Sequence, residues 1–404
     1  MLKTEDSMSK NTITITSRLT IGLMFLAAPL GAYAQQARWV DPANDLANLP
    51  TTGGLLTRTG DAQIISFRNI PAMAATRTIE AGDYTLELPS SPADFSGFHY
   101  EVEGMQYSLD QFMIHNDIAG LLVLKDGKNV LERYGLGNDE DSLWVSFSMA
   151  KSVVSMLTGA AIKDGYIGSV DDMVTDYLPQ MKGSAYDQVS IRNVLQMASG
   201  VQWNEDYTDP NSDVASSPGN LVDLFKFLGA KERVAAPGEK FNYNTGETNL
   251  AGAILRAAIG NNLSTYLTHK VWQPFGMESD ATWQTHGLGN GELGGCCINA
   301  TLRDFGRLGL FAMGGGVLAD GTEVLPANWM QESTQPSKGS AQYGYLWWLE
   351  ANGVYRASGI FGQGIYINPA NNLVVVALSA WRTAQGAEYA AHRDAVFRAF
   401  DEAL

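Results

Sequence analysis

Short apolar runs cluster near the front and the end of this chain, and a region of helical spacing lies between them. At the front, the apolar runs 121–124 and 130–134 flank Asp126-Gly127. An Asp-Gly pair between two such runs predicts a β-hairpin. At the end, short runs alternate with turn residues and predict an antiparallel meander. These runs are 345–350, 354–357, 364–367 and 373–379.

The helical pattern is clearest in the segment 148–163, which is apolar on nearly every face. A helix of that kind is buried, and Asp164 with the following glycine ends it. Helical spacing dominates from 191 to 270, and a further helix is predicted to start near Thr301. The segment 384–404 is predicted to close the chain as a helix that covers one face of the sheet.

Strands from both ends of the chain with helices between them predict an α/β domain combined with an all-α domain. The antiparallel sheet, flanked by helices, is expected to use residues 116–185 and 300–404, and the inserted helical domain residues 186–299. Residues 35–115 are expected to form an irregular N-terminal extension packed on this body. Its strand-like pieces are 63–67 and 84–88.

Composition excludes several classes of protein. Of 404 residues, 45% are hydrophobic and 17% charged, which fits a large packed interior and not a disordered chain. The 43 acidic and 27 basic residues give a net charge of −16, which disfavours nucleic acid and anionic membranes as partners. The adjacent Cys296 and Cys297 are expected to be unbonded, small buried side chains, because a bond between neighbours closes a strained ring.

The first residues resemble a targeting segment. Arg18 precedes the apolar run 19–28, and Ala32-Tyr33-Ala34 follows as a small-residue cleavage site. This pattern predicts a secretory signal peptide over residues 1–34. The mature protein is then expected to be periplasmic or secreted, with no membrane anchor left after cleavage.

Candidate chemistry centres on Ser148 and Lys151, which share one face at the start of the predicted helix. A serine hydroxyl needs an adjacent base, and a lysine can serve if burial lowers its pKa. Ser148 also suits an N-cap, but a cation in the first turn opposes the helix dipole by about 0.3–1 kcal/mol. Rule-breaking of this kind is typical of functional sites. Tyr243, in an Asn- and Gly-containing loop, adds a phenol that can carry a proton.

The segment Ser148-Met149-Ala150-Lys151 resembles the Ser-x-x-Lys motif of the serine β-lactamase and penicillin-binding-protein superfamily. The segment 241–246, which contains Tyr243, is similar to the second motif of that superfamily. The likeness runs from about residue 118 to the end of the chain. Within the superfamily, the chain resembles class C β-lactamase-like esterases and 6-aminohexanoate-dimer (nylon oligomer) hydrolases, and the segments 203–207 and 359–364 favour the latter.

This resemblance implies an exported serine hydrolase that cleaves carboxylic esters or linear amides through an acyl-enzyme on Ser148. Lys151 and Tyr243 would manage the protons, and the backbone N–H groups of Ser148 and Ile360 would form an oxyanion hole. No metal or organic cofactor is implied. The residues expected to contact the small-molecule substrate are Tyr207, Gly359 and Gln363.

The chain departs from the superfamily at its third motif. Ala357-Ser358-Gly359 stands where a Lys-Thr-Gly is usual, so the cation that meets an acidic substrate group is absent. This favours uncharged or amine-bearing acyl groups over β-lactams. Thr245 replaces an asparagine of the second motif. A β-lactamase or D-alanyl peptidase, and a non-catalytic binding or sensor domain, stay open as alternatives, as does a homodimer.

Other features are expected to be ordinary. The segment 289–294 matches a Gly-x-Gly-x-x-Gly fingerprint, but no strand precedes it, so a flexible loop is favoured over a dinucleotide site. The five histidines are scattered, and no Gly-x-Ser-x-Gly elbow accompanies them. An acidic cluster is expected to be a solvated loop. Its members are Glu205, Asp206 and Asp209.

Overall fold

The predicted hairpin and the predicted meander join in one antiparallel sheet in the computed structural model of the protein. The structure describes residues 37–287 and 291–404. The expected signal peptide, and the part of the glycine-rich segment at 288–290, lie outside the described residues.

The strands and helices are numbered here in chain order. The strands are β1 (Thr76–Ile79), β2 (His99–Val102), β3 (Met105–Ser108), β4 (Ile118–Lys125), β5 (Lys128–Tyr134), β6 (Trp144–Val145), β7 (Ala281–Gln284), β8 (Ile298–Ala300), β9 (Trp348–Leu349), β10 (Tyr355–Ser358), β11 (Gly364–Asn368) and β12 (Leu373–Ser379). The helices are α1 (Gly60–Arg68), α2 (Ile70–Met73), α3 (Leu109–His115), α4 (Met149–Lys163), α5 (Val174–Tyr177), α6 (Ile191–Leu195), α7 (Asp213–Ser216), α8 (Leu221–Gly229), α9 (Thr245–Ile259), α10 (Leu263–Leu267), α11 (Gln273–Phe275), α12 (Leu302–Met313), α13 (Trp329–Ser333) and α14 (Ala387–Ala403). Short 3₁₀ segments and one π-helical turn add Pro42–Asn44, Leu46–Asn48, Pro179–Met181, Thr268–Trp272, Ala351–Gly353 and Pro369–Asn371.

The main sheet has the strand order β5-β4-β12-β11-β10-β9, with every pair antiparallel. Alternate residues of its central strands point to opposite faces, so the sheet is buried on both sides. Leu122 and Val374 belong to the large core cluster that contains α4 and α12. Leu121 and Val375 belong to a second core cluster, which α14 covers. The predicted fold class, an antiparallel sheet flanked by helices, is confirmed.

A smaller sheet, with the order β1-β7-β8-β6, places the nucleophile candidate. The sequence does not reveal this sheet, because β6 and β8 have only two and three residues, too few to show a period. Strand β6 ends directly before the turn that leads into α4. The Ser146 N–H donates to the Ile298 carbonyl at 2.7 Å, and the Ser146 hydroxyl accepts from the Ile298 N–H at 3.0 Å.

Helices between the two halves of the main sheet pack around α4 and α9. Helix α4 runs from Met149 to Lys163 with Ser148 as the preceding residue, as the sequence predicts. Gly159 allows close packing on α13, since a Cβ there would lie 2.6 Å from the Trp329 ring. The helix predicted near Thr301 is confirmed as α12, which Thr301 caps. The predicted domain boundaries themselves stay a prediction.

The N-terminal extension contains more regular structure than expected. The strand predicted at 63–67 is wrong, since those residues lie in helix α1 and are buried on every side. A fully buried apolar run has no alternation to separate helix from strand. The second piece, 84–88, is not assigned as a strand, although Leu86 N–H donates to the Gly276 carbonyl at 2.8 Å. Strand β1 of the extension pairs with β7, so the extension is built into the smaller sheet. Within the described residues, no helix is long and apolar enough to cross a membrane.

Candidate active site

The turn between β6 and α4 presents the Ser148 hydroxyl. Phe147, just before it, has a φ of 44°, a conformation that is uncommon for a bulky residue and is typical of functional turns. Its ring is held between Phe67 and Phe361, with centroids 4.9 and 5.1 Å away. Ser148 makes no side-chain capping bond to α4. Ser148 therefore occupies the N-cap position without capping the helix through its side chain, and its hydroxyl is left for another partner.

Lys151 provides that partner. Its Nζ lies 3.0 Å from the Ser148 Oγ, 3.0 Å from the Thr245 Oγ1 and 2.7 Å from the Gly295 carbonyl oxygen. The side chain is 2% exposed. Burial lowers the pKa of Lys151 to about 8, although the Glu205 carboxylate opposes that shift. About a tenth of Lys151 is therefore an uncharged base at pH 7, and this fraction rises steeply as the pH approaches 8.

Tyr243 approaches Ser148 from the loop before α9. Its phenol lies close enough to the Ser148 side chain for the serine to lower the pKa of the phenol, and its ring centroid lies 5.3 Å from the Lys151 Nζ. Burial, and then the Glu205 carboxylate, raise the pKa of Tyr243. The ring stacks on Trp348 at a centroid distance of 5.6 Å. Tyr243 is thus a neutral phenol that can donate a proton beside Ser148.

Glu205 is a site residue that the sequence analysis missed. It was expected in a solvated acidic loop, and for Glu205 that prediction is wrong. Its carboxylate accepts hydrogen bonds from the Thr245 hydroxyl, from the Thr245 N–H at 3.0 Å, from the Tyr207 hydroxyl at 2.5 Å and from the Trp203 indole N–H. Thr245 lies 40 residues away in sequence, so no local pattern could have revealed these contacts.

Ile360 lies in the loop between β10 and β11. Its N–H and the N–H of Ser148 donate to no other group in the described part of the chain. Both residues line one cavity. Gly359 allows this approach, since a Cβ there would lie 2.7 Å from the Ser146 carbonyl oxygen. An oxyanion hole requires two such unpaired N–H donors, and the assignment of Ser148 and Ile360 to that role stays a prediction.

Gln363 supports this loop instead of facing the cavity. Its side chain is fully buried, accepts from the Phe361 N–H at 3.2 Å and donates to the Ser379 carbonyl at 2.9 Å. It is not among the described residues that line the cavity. The expectation that Gln363 contacts substrate is therefore replaced by a positioning role, because both ends of its amide are already bonded to backbone.

The cavity beside Ser148 has a volume of about 480 Å³. Tyr207 lines it, as expected for a substrate contact, with its hydroxyl already donating to Glu205. Trp203 and Val214 add apolar surface from the helical region. Leu56 brings the N-terminal extension into the same wall, which the sequence did not predict.

The two cysteines form a disulfide in the wall of this cavity. The prediction of two unbonded side chains is therefore wrong. Cys297 has a φ of 73°, a turn conformation that the sequence does not reveal. The Cys297 N–H donates to the Phe147 carbonyl at 3.4 Å, and the carbonyl of Gly295 binds Lys151. The disulfide thus belongs to the segment that surrounds the lysine.

Charge is scarce around this cavity. The described residues that line it include no Asp, Glu, Lys or Arg. His286 lines it, and burial lowers the pKa of that histidine to about 4, so the ring is neutral near pH 7. At the position of the usual Lys-Thr-Gly cation, Ala357 is a buried residue of β10. Among the described residues, no group of three His, Cys, Asp or Glu side chains is placed to hold a metal ion.

A serine hydroxyl, a buried lysine with a lowered pKa and a neutral phenol therefore meet around Ser148, and Ser148 and Ile360, each with an unpaired N–H group, line the adjoining cavity. That set can perform acyl transfer. Fold and site together define a serine hydrolase with a β-lactamase-like architecture. The family model described as Beta-lactamase matches residues 108–399, so the chain belongs to the beta-lactamase family.

Relatives agree with this assignment. A 6-aminohexanoate-dimer hydrolase from Paenarthrobacter ureafaciens is 28% identical over 298 residues, which cover 68% of this chain and 75% of the relative. A solved structure from Bacillus anthracis, provisionally named a 6-aminohexanoate-dimer hydrolase, has a TM-score of 0.77 and 20% identity over 88% of this chain and 98% of its own. The structure of a mutant class C beta-lactamase has a TM-score of 0.55 and 19% identity, and the match covers 73% of this chain and 95% of the other. At these identities the two structures show a shared fold, and the resemblance to the superfamily is confirmed.

Proposed function

We propose that this protein hydrolyses carboxylic esters or linear amides through an acyl-enzyme on Ser148. The observation that carries the proposal is the 3.0 Å contact between the Lys151 Nζ and the Ser148 Oγ. Because burial lowers the pKa of Lys151 to about 8, this contact joins a nucleophile to a usable base. The chemistry needs no metal or organic cofactor.

In acylation, neutral Lys151 accepts the proton of the Ser148 hydroxyl while its oxygen attacks the substrate carbonyl. The developing oxyanion accepts hydrogen bonds from the N–H groups of Ser148 and Ile360. The Tyr243 phenol donates its proton to the departing alcohol or amine and takes up the proton that Lys151 accepted, because its raised pKa disfavours a lasting phenolate. The products of this step are the Ser148 ester, the free alcohol or amine, neutral Lys151 and neutral Tyr243.

In deacylation the same groups act in reverse. Neutral Lys151 accepts a proton from water through the Tyr243 phenol, and the resulting hydroxide attacks the Ser148 ester. Protonated Lys151 returns its proton to the departing Ser148 oxygen. Both proton carriers are thereby restored, and the carboxylic acid is released.

Esters and linear amides fit the site better than β-lactams do. A β-lactam antibiotic carries a carboxylate, and the cavity offers no arginine or lysine to it among the described lining residues. Ala357, at the position of the usual cation, cannot supply that charge. The name of the Paenarthrobacter ureafaciens relative supports a linear amide as one substrate class.

We also propose that the protein is exported. The support is the sequence pattern of residues 1–34, with its apolar run 19–28 and the small-residue site at 32–34. Intact mass of the protein purified from a native host tests this. Export predicts a mature chain that begins at Gln35, and a chain that retains residues 1–34 outside the cytoplasm would contradict cleavage.

Turnover distinguishes the proposed substrates from the alternatives. Purified protein is given a p-nitrophenyl ester, a p-nitroanilide and a chromogenic cephalosporin, beside the Ser148→Ala variant. We expect Ser148-dependent release from the ester, and from the anilide at a lower rate. Turnover of the cephalosporin alone would replace the proposal with a β-lactamase. No turnover of any of the three would favour a binding domain of the same fold.

A further inference from the structure

We infer that the cavity beside Ser148 binds an uncharged, mainly apolar acyl chain, and that the N-terminal segment carrying Leu55 and Leu56 helps to set this preference. The inference rests on the proposed function and names the substrate class within it. It separates the two acyl types that the missing Lys-Thr-Gly cation leaves open, which are uncharged and amine-bearing groups.

The cavity takes the acyl side of the scissile bond. Ser148 and Ile360, whose N–H groups would hold the carbonyl oxygen, both line it. Tyr243, the proton donor to the leaving group, is not among its described lining residues. The leaving group therefore departs toward Tyr243, and the acyl chain extends into the cavity.

The cavity wall disfavours a charged group on the acyl chain. A charged group loses its hydration when it enters such a cavity, and it needs an opposite charge or several hydrogen bonds to recover that energy. The described lining residues include no carboxylate and no cationic side chain. His286 is neutral near pH 7, because burial lowers its pKa to about 4. An ammonium or a carboxylate on the acyl chain would find no counter-ion in this wall.

The Glu205 carboxylate lies behind the wall, in contact with three lining residues, and it is already engaged. Trp203, Tyr207 and Thr245 all donate hydrogen bonds to it. Its negative charge also faces protonated Lys151 through Thr245. Glu205 therefore balances the catalytic lysine and is not available to an ammonium group of the substrate.

The N-terminal segment forms part of the cavity wall. Leu55 and Leu56 lie in a turn, and Ala74 and Ala75 lie in the connection between α2 and β1. All four line the cavity together with Phe147 from the catalytic turn. Both leucines are only partly buried, so part of their apolar surface remains for a ligand. The family match begins at residue 108, so this part of the wall lies outside the matched region.

The test varies the acyl charge at constant shape. Two p-nitrophenyl esters carry the same acyl chain, which ends in a tert-butyl group in one and in a trimethylammonium group in the other. A third carries a terminal carboxylate. Assays at high salt screen the attraction of the acidic surface for cations. We expect kcat/KM for the tert-butyl ester to exceed the other two by about 100-fold or more.

Variants then add a charge to the wall. Leu56→Asp should shift the ratio of kcat/KM values toward the trimethylammonium ester by about tenfold or more, because an opposite charge then lies within the cavity. Leu56→Asn, which has the same shape without the charge, should not. Leu46→Asp, at an exposed leucine of the same segment, controls for added surface charge. Val214→Asp repeats the experiment from a different part of the wall.

Equal turnover of the neutral and cationic esters by the wild type would overturn the inference, as would an unchanged ratio in both aspartate variants. Calorimetry separates this from failure of the proposed function. The Ser148→Ala protein is titrated with the N-methylamides of the tert-butyl and trimethylammonium acyl chains. This titration measures the binding preference without turnover. If the protein binds the neutral amide more tightly but hydrolyses no ester, the cavity assignment is supported and the proposed hydrolase function is contradicted.

Discussion

Glu205 is coupled to Lys151 through the hydroxyl of Thr245, which accepts a hydrogen bond from the lysine at 3.0 Å and donates one to the carboxylate. The carboxylate favours the charged form of the lysine, and burial favours the neutral form. Burial dominates, and the pKa of Lys151 falls to about 8. The pKa of Lys151 is therefore set by two opposing effects, and a single substitution can change either of them.

The pH dependence of ester hydrolysis should report Lys151. Since the free enzyme needs neutral Lys151, kcat/KM should rise with pH up to an apparent pKa of about 8 and then level off. Glu205→Gln removes the charge that raises this pKa, so the rising limb should move to lower pH. Stopped-flow rates from pH 5 to 10 check this. If the rising limb of the Glu205→Gln profile stays in place or moves to higher pH, the coupling between Glu205 and Lys151 is contradicted.

Gly359 should be sensitive to a single added methyl group. A Cβ at this position would lie 2.6 Å from the Gln363 Oε1 and 2.7 Å from the Ser146 carbonyl oxygen. Gly359→Ala must therefore displace the Ile360 N–H from the carbonyl oxygen it stabilises, and kcat should fall about 100-fold. Gly97→Ala, where the added Cβ meets nothing within 4 Å, is the matched control. An unchanged kcat in Gly359→Ala would remove Ile360 from the oxyanion hole.

Lys151→Met should abolish turnover and raise the stability of the fold. The buried cation is disfavoured in the folded state, as its lowered pKa shows, and a methionine of similar length removes that cost. We expect a gain of about 1–3 kcal/mol in the free energy of unfolding at neutral pH. Because the unfolded lysine titrates near 10.5, the gain should be constant below about pH 8 and shrink above it.

Urea unfolding of both proteins measures this difference. Lys163→Met, at the other end of the same helix, removes an exposed lysine that pairs with Glu323 and should change the stability by less than about 1 kcal/mol. A Lys151→Met protein that is less stable than the wild type at pH 7 would show that the three hydrogen bonds of the lysine outweigh its burial.

Glu247 should give the fold a pH dependence of its own. It is fully buried, and although Ser199 and Asn244 hydrogen-bond to it, burial raises its pKa to about 8. A carboxyl whose folded pKa is raised stabilises the fold most at low pH. That stability is lost as pH rises from about 4.5 through about 8.

Glu247→Gln should flatten this decline. Between pH 5 and pH 8 the wild type should lose about 2–4 kcal/mol relative to the glutamine variant. Urea unfolding at the two pH values measures the difference. The exposed Glu239→Gln serves as control and should follow the wild type. Parallel pH curves for the wild type and Glu247→Gln would show that Glu247 is not protonated in the folded protein.

Much of the site is predictable from local sequence. Ser148 directly precedes helix α4 and Lys151 lies in its first turn, as their spacing of three residues predicts, and the Asp126-Gly127 hairpin carries its own turn signal. Both predictions are confirmed. The catalytic roles assigned to these residues and to Tyr243 stay predictions, since geometry alone does not measure turnover.

The features that sequence could not supply depend on distant contacts. Glu205 becomes a site residue only because α9 brings Thr245 to it. The smaller sheet uses strands too short to show a period, and one of its strands comes from the N-terminal extension. The Cys296–Cys297 disulfide depends on a local φ that residue identity does not determine.

The central claim is that Ser148 is the nucleophile. Intact mass after treatment with a fluorophosphonate tests it most directly, on the wild type and on Ser148→Ala, with peptide mapping of the adduct. We predict one adduct per wild-type chain, located on Ser148, and none on the variant. An unmodified wild-type protein, or an adduct that persists in Ser148→Ala, would contradict the account.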